Sequence, residues 1–194
     1  MPWLVAAEAA LRGGVDVVQF REKDLSDDEF FRRASLLRSV CVAHRTLFIV
    51  NDRIDVAHEI GADGVHLGQD DASIHEARQT LGPDAVVGLS THDETELQRA
   101  LDSGADYVGV GSLFPTATKG RAVSVGSPAR LAPLAVRAEE QGTPAFGIGG
   151  IDAACIDEVA RAGFTRIATC AGVLAAADPA AVVRHLRAAV TPSV

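Results

Sequence analysis

The sequence predicts an α/β fold, a TIM (β/α)8-type barrel lacking its first β-strand, on three observations. Seven short β-rich runs alternate with helical patterns. The runs are nearly continuous hydrophobic stretches, which suits parallel strands covered on both faces. Gly61, Gly104 and Gly163 close three of the helices in the related forms Ile-Gly-Ala-Asp, Ser-Gly-Ala-Asp and Ala-Gly-Phe-Thr, as helix C-caps do, and that repetition marks an array of βα units.

The strands fall at residues 15–21, 47–50, 64–67, 85–89, 107–110, 145–148 and 166–169. Helices follow at roughly 27–43, 54–60, 73–81, 94–103, 128–140, 152–162 and 179–189, each with apolar residues at three- and four-residue spacing. A further helix at 4–12 opens the chain with no strand before it. An eight-stranded barrel without its first strand leaves two unpaired edges, so either the chain is truncated or something fills the gap. The open edge also makes a homo-oligomer an expectation.

With 194 residues, 47% of them hydrophobic, the whole chain 1–194 reads as one barrel domain with a sizeable core. Its formal net charge of −8 argues against nucleic acid or an anionic membrane as partner, so any anion site must be local. Glu8 interrupts the only candidate leader segment, and no apolar run approaches the ~20 residues of a membrane span, which predicts a cytoplasmic protein. Cys41, Cys155 and Cys170 are far apart, lack His partners at metal-ligand spacing, and read as reduced core thiols.

In such a barrel the chemistry gathers at the C-terminal ends of the strands. After the first visible strand come Gln19, Phe20, Arg21, Glu22 and Lys23; alternation sends Gln19, Arg21 and Lys23 to one face and Phe20 to the other. Two cations and an amide on one face need an anion. Asn51 and Asp52 follow the second strand, and Gln69, Asp70 and Asp71 the third. Asp52 and Asp71 lie on adjacent strands ~5 Å apart, close enough for both carboxylates to reach one Mg²⁺, with phosphates completing its octahedron. The competing reading is that both carboxylates cap the helices that follow them. Across the mouth, Pro115-Thr116-Ala117-Thr118-Lys119 and Gly147-Ile148-Gly149-Gly150 suit a monophosphate, since glycines let backbone amides approach an anion. Between the two sides lies Gly88-Leu89-Ser90-Thr91-His92, where Ser90 could bond a heteroaromatic ring and Thr91 with Glu94 resembles a capping box. Two facing anion sites imply two phosphorylated small molecules and a transfer in which diphosphate leaves.

These motifs, in this order and spacing from Ala7 to near the C-terminus, resemble the thiamine phosphate synthase family. The resemblance implies a transferase of thiamine biosynthesis that joins hydroxymethylpyrimidine diphosphate to hydroxyethylthiazole phosphate and releases diphosphate. It puts Gln19, Phe20, Arg21, Glu22, Lys23, Asn51, Ser90 and Lys119 on the pyrimidine diphosphate, with Arg21, Lys23 and Lys119 as the catalytic cations. Asp52 and Asp71 would hold Mg²⁺. Thr116, Ala117, Thr118, Gly150, Cys170 and Ala171 would hold the thiazole phosphate, the last two standing where the family usually has a branched apolar residue and Ser. The family mechanism is dissociative and needs no protein nucleophile. Two alternatives remain: a thiazole tautomerase on the same barrel, which would make His92 an acid/base, and a non-catalytic barrel that binds thiazole or thiamine phosphate.

Overall fold

Seven parallel strands pair in chain order into one sheet: β1 (Val17–Phe20), β2 (Leu47–Asn51), β3 (Gly64–Leu67), β4 (Val86–Thr91), β5 (Tyr107–Gly111), β6 (Ala145–Ile148) and β7 (Ile167–Ala168). The structure, a computed structural model, describes residues 2–116 and 125–191. Its helices are α1 (Pro2–Arg12), α2 (Asp27–His44), α3 (Ile54–Ile60), α4 (Ile74–Leu81), α5 (Glu94–Asp102), α6 (Pro128–Glu140), α7 (Ile156–Arg161), α8 (Ala171–Leu174) and α9 (Pro179–Val190). Each strand is parallel to its neighbours because a helix carries the chain back between them. Among the described residues β1 and β7 do not pair, so the sheet stays open along that seam. Outside it the helical layer is continuous, for α1 packs on α9, α8 and α2.

Alternation divides the strand residues between two environments. Phe48, Val50, Val65, Leu67, Val87, Val108 and Val110 face the helices and belong to the continuous apolar core. Phe20 joins them, its ring edge-on to Phe30 of α2 with centroids 4.9 Å apart. The intervening residues turn to the barrel interior, and many of them are small or polar: Gly64, His66, Gly88, Ser90, Tyr107 and Gly109, alongside the apolar Leu47, Ile49 and Val86.

Two helix exits are built alike. Gly61 takes the left-handed backbone (φ 66), Ala62 N–H returns to Ala57 O, and Asp63 N–H bonds Phe48 O. The Asp63 carboxylate then accepts from Phe48 N–H at 2.7 Å. After α5, Gly104 (φ 76), Ala105 and Asp106 repeat every step, with Asp106 Oδ2 accepting from Val87 N–H at 2.7 Å and from Arg78 at 3.0 Å. At the third exit Thr165 stands in the Asp position, and Glu139 of α6 takes the equivalent strand donor, Ala145 N–H, at 2.9 Å. The repeat legible in the sequence is thus a latch joining each helix exit to the previous strand.

Several boundaries differ from expectation. β4 runs on to Thr91 because its ladder with β5 continues through Ser90↔Gly109 and Thr91↔Val110, so Ser90 sits in the barrel wall and not in a loop. The helix after it is capped by Asp93, which accepts from Glu96 N–H at 2.9 Å, and Thr91 and Glu94 form no capping box. α7 begins four residues later than 152 because Asp152 Oδ1 captures Ala154 N–H and Cys155 N–H in a turn of its own. The short α8 was not expected at all. Of the cysteines only Cys41 is a core thiol, pushed up to about 11 by burial and then by the Asp63 charge; Cys155 is half-buried at a turn and Cys170 is exposed at the mouth.

Replacing Asp106 with Ala leaves Val87 N–H and Arg78 without their carboxylate, and should cost about 1–3 kcal/mol. Urea melts of the two proteins would measure it, and equal midpoints would show that the latch is dispensable.

Candidate active site

Asn51 ends β2 as a buried polar residue, and Asp52 after it takes the left-handed backbone (φ 63), a conformation Asp tolerates better than most side chains. Arg53, not Asp52, occupies the N-cap of α3 and makes no side-chain cap bond. At α4 the cap is Ser73, in a full capping box with Glu76, while Asp71 Oδ2 accepts from Gly68 N–H at 2.6 Å. Neither carboxylate is consumed by capping.

Instead they meet each other. Burial pushes the Asp52 carboxyl up to about 6, helped by a hydrogen bond shared with Asp71 and by the Asp71 charge, while Lys23 and Arg21 oppose the rise. Lys23 Nζ stands 3.8 Å from Asp52 Oδ2, and this exposed ion pair contributes little to stability. Two converging carboxyls form a donor set with the chemistry of a hard-cation site. Among the described residues no group of three or more His, Cys, Asp or Glu could hold a metal. A pair completed by phosphate oxygens and water is the coordination Mg²⁺ accepts, so the residues fit that ion.

The loop after β1 carries Arg21, half-buried, and Glu22 and Lys23, both exposed. The Cys170 thiol is raised chiefly by burial, then by the Glu22 charge, with Arg21 opposing. The Phe20 side chain, expected at the substrate, instead faces α2 as the alternation of its strand requires. Ser90 is buried, and its hydroxyl lies 2.9 Å from His66 Nε2. Gln69 Nε2 donates to Ser90 O at 2.6 Å.

The opposite rim is knitted from three loops. Phe114 N–H bonds Gly149 O at 3.1 Å, and a Cβ on Gly150 (φ 66) would fall 2.6 Å from Pro115 O. Thr169 Oγ1 donates to Ile151 O at 2.6 Å, and a Cβ on Gly172 would fall 2.7 Å from the same oxygen. Thr116, Gly150, Cys170 and Ala171 therefore share one rim; Ala117, Thr118 and Lys119 lie outside the described residues. His66, Gln69 and Tyr107 went unassigned in the sequence, although His66 is the one histidine inside a predicted strand.

The thiamine monophosphate synthase family model matches residues 3–173. The chain belongs to that family. The thiamine-phosphate synthase of Thermosynechococcus vestitus is 45% identical over 94% of this chain, and the chain spans about half, 51%, of that relative's length. The Haloquadratum walsbyi thiamine-phosphate synthase is 42% identical over 94% of this chain and 82% of its own. The thiamine phosphate pyrophosphorylase structure from Pyrococcus furiosus superposes with a TM-score of 0.83 at 33% identity, covering 96% of this chain and 88% of that one. KGPDC from Streptococcus mutans, at 13% identity, TM-score 0.72 and coverage of 97% and 91%, shares the fold alone.

Both contributions of Asp71 favour the protonated form of Asp52, so Asp71→Asn should lower the Asp52 midpoint below about 6 in metal-free protein. Carboxyl-carbon NMR titration reads it; an unmoved midpoint would mean that the two groups do not share a proton.

Proposed function

We propose that this chain joins hydroxymethylpyrimidine diphosphate to hydroxyethylthiazole phosphate, giving thiamine phosphate and diphosphate. The supporting observation is the division of the mouth within a member of this family: Asp52, Asp71 and Lys23 cluster on one side, and glycine- and threonine-bearing loops line the other. The names of the relatives at 42–45% identity point the same way.

The C–O bond between the pyrimidine methylene and the diphosphate breaks with its electron pair leaving on the diphosphate. The electron-rich aminopyrimidine stabilises the methylene cation, and the thiazole nitrogen lone pair then closes the C–N bond. Arg21, Lys23 and Lys119 neutralise the departing charge, while Asn51, Ser90 and Gln19 orient the pyrimidine. Asp52 and Asp71 would hold a Mg²⁺ ion, which when bound would supply Lewis-acid neutralisation of charge on the diphosphate. Thr116, Thr118, Gly150 and the backbone at Cys170 and Ala171 hold the thiazole phosphate. The walls of the mouth keep water from the cation until the thiazole attacks. His92, which a tautomerase would use, has its Nδ1 bound to Glu96 Oε2 at 2.7 Å. No helix among the described residues is long and apolar enough to cross a membrane.

Diphosphate release should require both substrates and Mg²⁺, with thiamine phosphate identified by mass spectrometry; release that persists when one substrate is omitted would overturn the reaction. Asp52→Ala and Asp71→Ala should each abolish Mg²⁺-dependent turnover while thiazole phosphate binding survives, and full turnover in both would remove the metal assignment. Arg21→Ala should slow turnover about 10²- to 10³-fold, the cost of one preorganised donor to a developing anion. A loss below about tenfold would place Arg21 outside the site.

A further inference from the structure

Every second residue of β4 turns its backbone N–H and C=O toward β3, and Val86 fixes the phase, because its N–H bonds Asp63 O at 3.0 Å. Gly88 and Ser90 therefore face β3 as well. A parallel ladder takes the N–H and C=O of one residue to the two residues that flank its partner. Stepping along from Val86 thus brings the Ser90 N–H to Leu67 and the Ser90 carbonyl opposite Gln69. That last rung is missing from the backbone: the β3–β4 register ends at Leu67↔Leu89, whereas β4 stays paired with β5 through Ser90↔Gly109 and Thr91↔Val110.

β3 leaves the ladder because the chain turns at Gly68. Gly68 N–H donates to Asp71 Oδ2 at 2.6 Å and Asp71 N–H donates to Gly68 O at 3.4 Å, closing a four-residue turn that carries Asp71. Gln69 is the second residue of this turn. Its side chain goes back to the place its backbone has vacated, and Nε2 donates to the Ser90 carbonyl at 2.6 Å. A carbonyl oxygen carries no hydrogen, so the group that meets it at this distance is the amide NH2, and the direction of the bond is fixed. Ser90 is 7% exposed, and a carbonyl on so buried a residue is costly to leave without a partner.

We propose that Gln69 is a positioning residue: its side chain replaces the missing rung between β3 and β4 and holds Ser90 at a fixed spacing from the turn that carries Asp71. The backbone from 68 to 71 is thereby free to bend toward the mouth without releasing the end of β4. Both ends of that spacing serve one substrate, Ser90 at the ring and Asp71 at the diphosphate. This rests on the reading of those two residues as the pyrimidine diphosphate side. Glutamine combines the two properties needed, since Met has its length without the donor and Glu has its shape without a hydrogen to give at neutral pH.

Two measurements separate the inference from that reading. In Gln69→Met and in Gln69→Glu, NMR-detected hydrogen exchange in unliganded protein at neutral pH should be about tenfold faster at the Ser90 and Thr91 amides and unchanged at Val87, as expected when one hydrogen bond at a strand end is lost. Wild-type rates at Ser90 and Thr91 in either variant overturn the proposal whatever the protein catalyses. In the synthase assay, Gln69→Met should raise KM for the pyrimidine diphosphate about three- to tenfold and leave KM for the thiazole phosphate within about twofold. An unchanged KM for the pyrimidine diphosphate, or a rise that falls equally on both substrates, would overturn it. Wild-type protein that makes no thiamine phosphate fails the reaction reading, while the exchange rates still decide whether Gln69 holds the end of β4.

Discussion

A parallel ladder fixes the face and the height of every residue together, and the rest of the molecule follows from that constraint. On β2 through β5 the residues turned outward are, Thr91 apart, Val, Leu and Phe, and they weld the sheet to the helices. The residues turned inward are then free of any duty to supply the apolar core. Glycine at 64, 88 and 109 uses that freedom to leave volume, and His66, Ser90 and Tyr107 use it to carry polarity into a wall that water barely reaches. A slip of one residue in any of these pairings would exchange the two sets and bury the polar groups against α-helices.

The mouth solves a different problem, that of holding anions on a chain whose net charge is −8. It does so by local arrangement. Lys23 and Arg21 both act on Asp52, so the strongest negative feature of the rim comes already paired with cations. Most of the other arginines are spent elsewhere: Arg53 on Asp27 and Asp55, Arg78 on Asp106 and three carbonyls, Arg32 and Arg33 on Glu29. Acid excess over the rest of the surface thus leaves the positive charge of the rim local.

The sequence made legible what depends on neighbours along the chain. Strand and helix alternation, the glycine exits and the pairing of Asp52 with Asp71 on adjacent strands all follow from local pattern plus topology. Less legible was anything that turns on register between strands. Ser90 looked like a loop residue because the pairing that extends β4 lies on β5, and nothing within the segment itself announces it. His66 and Tyr107 are separated by a whole βαβ unit and touch only because the residue between their strands is Gly88. Phe20 stands inside a motif of substrate residues, yet the alternation along its own strand, legible in the sequence, already turned its ring away from that face and toward the core. Capping was misread at Thr91 for a related reason: Asp93 competes for the same helix start and is better placed.

The open seam between β1 and β7 gives the barrel an uneven stiffness. Six strand pairings run around the sheet through backbone hydrogen bonds, whereas the arc across the seam is spanned by α1 lying on α9, α8 and α2. Hydrogen bonds resist shear along a strand; packed side chains resist only separation and slide with little cost. Among the described residues the sheet is therefore least tied by backbone hydrogen bonds between β1 and β7.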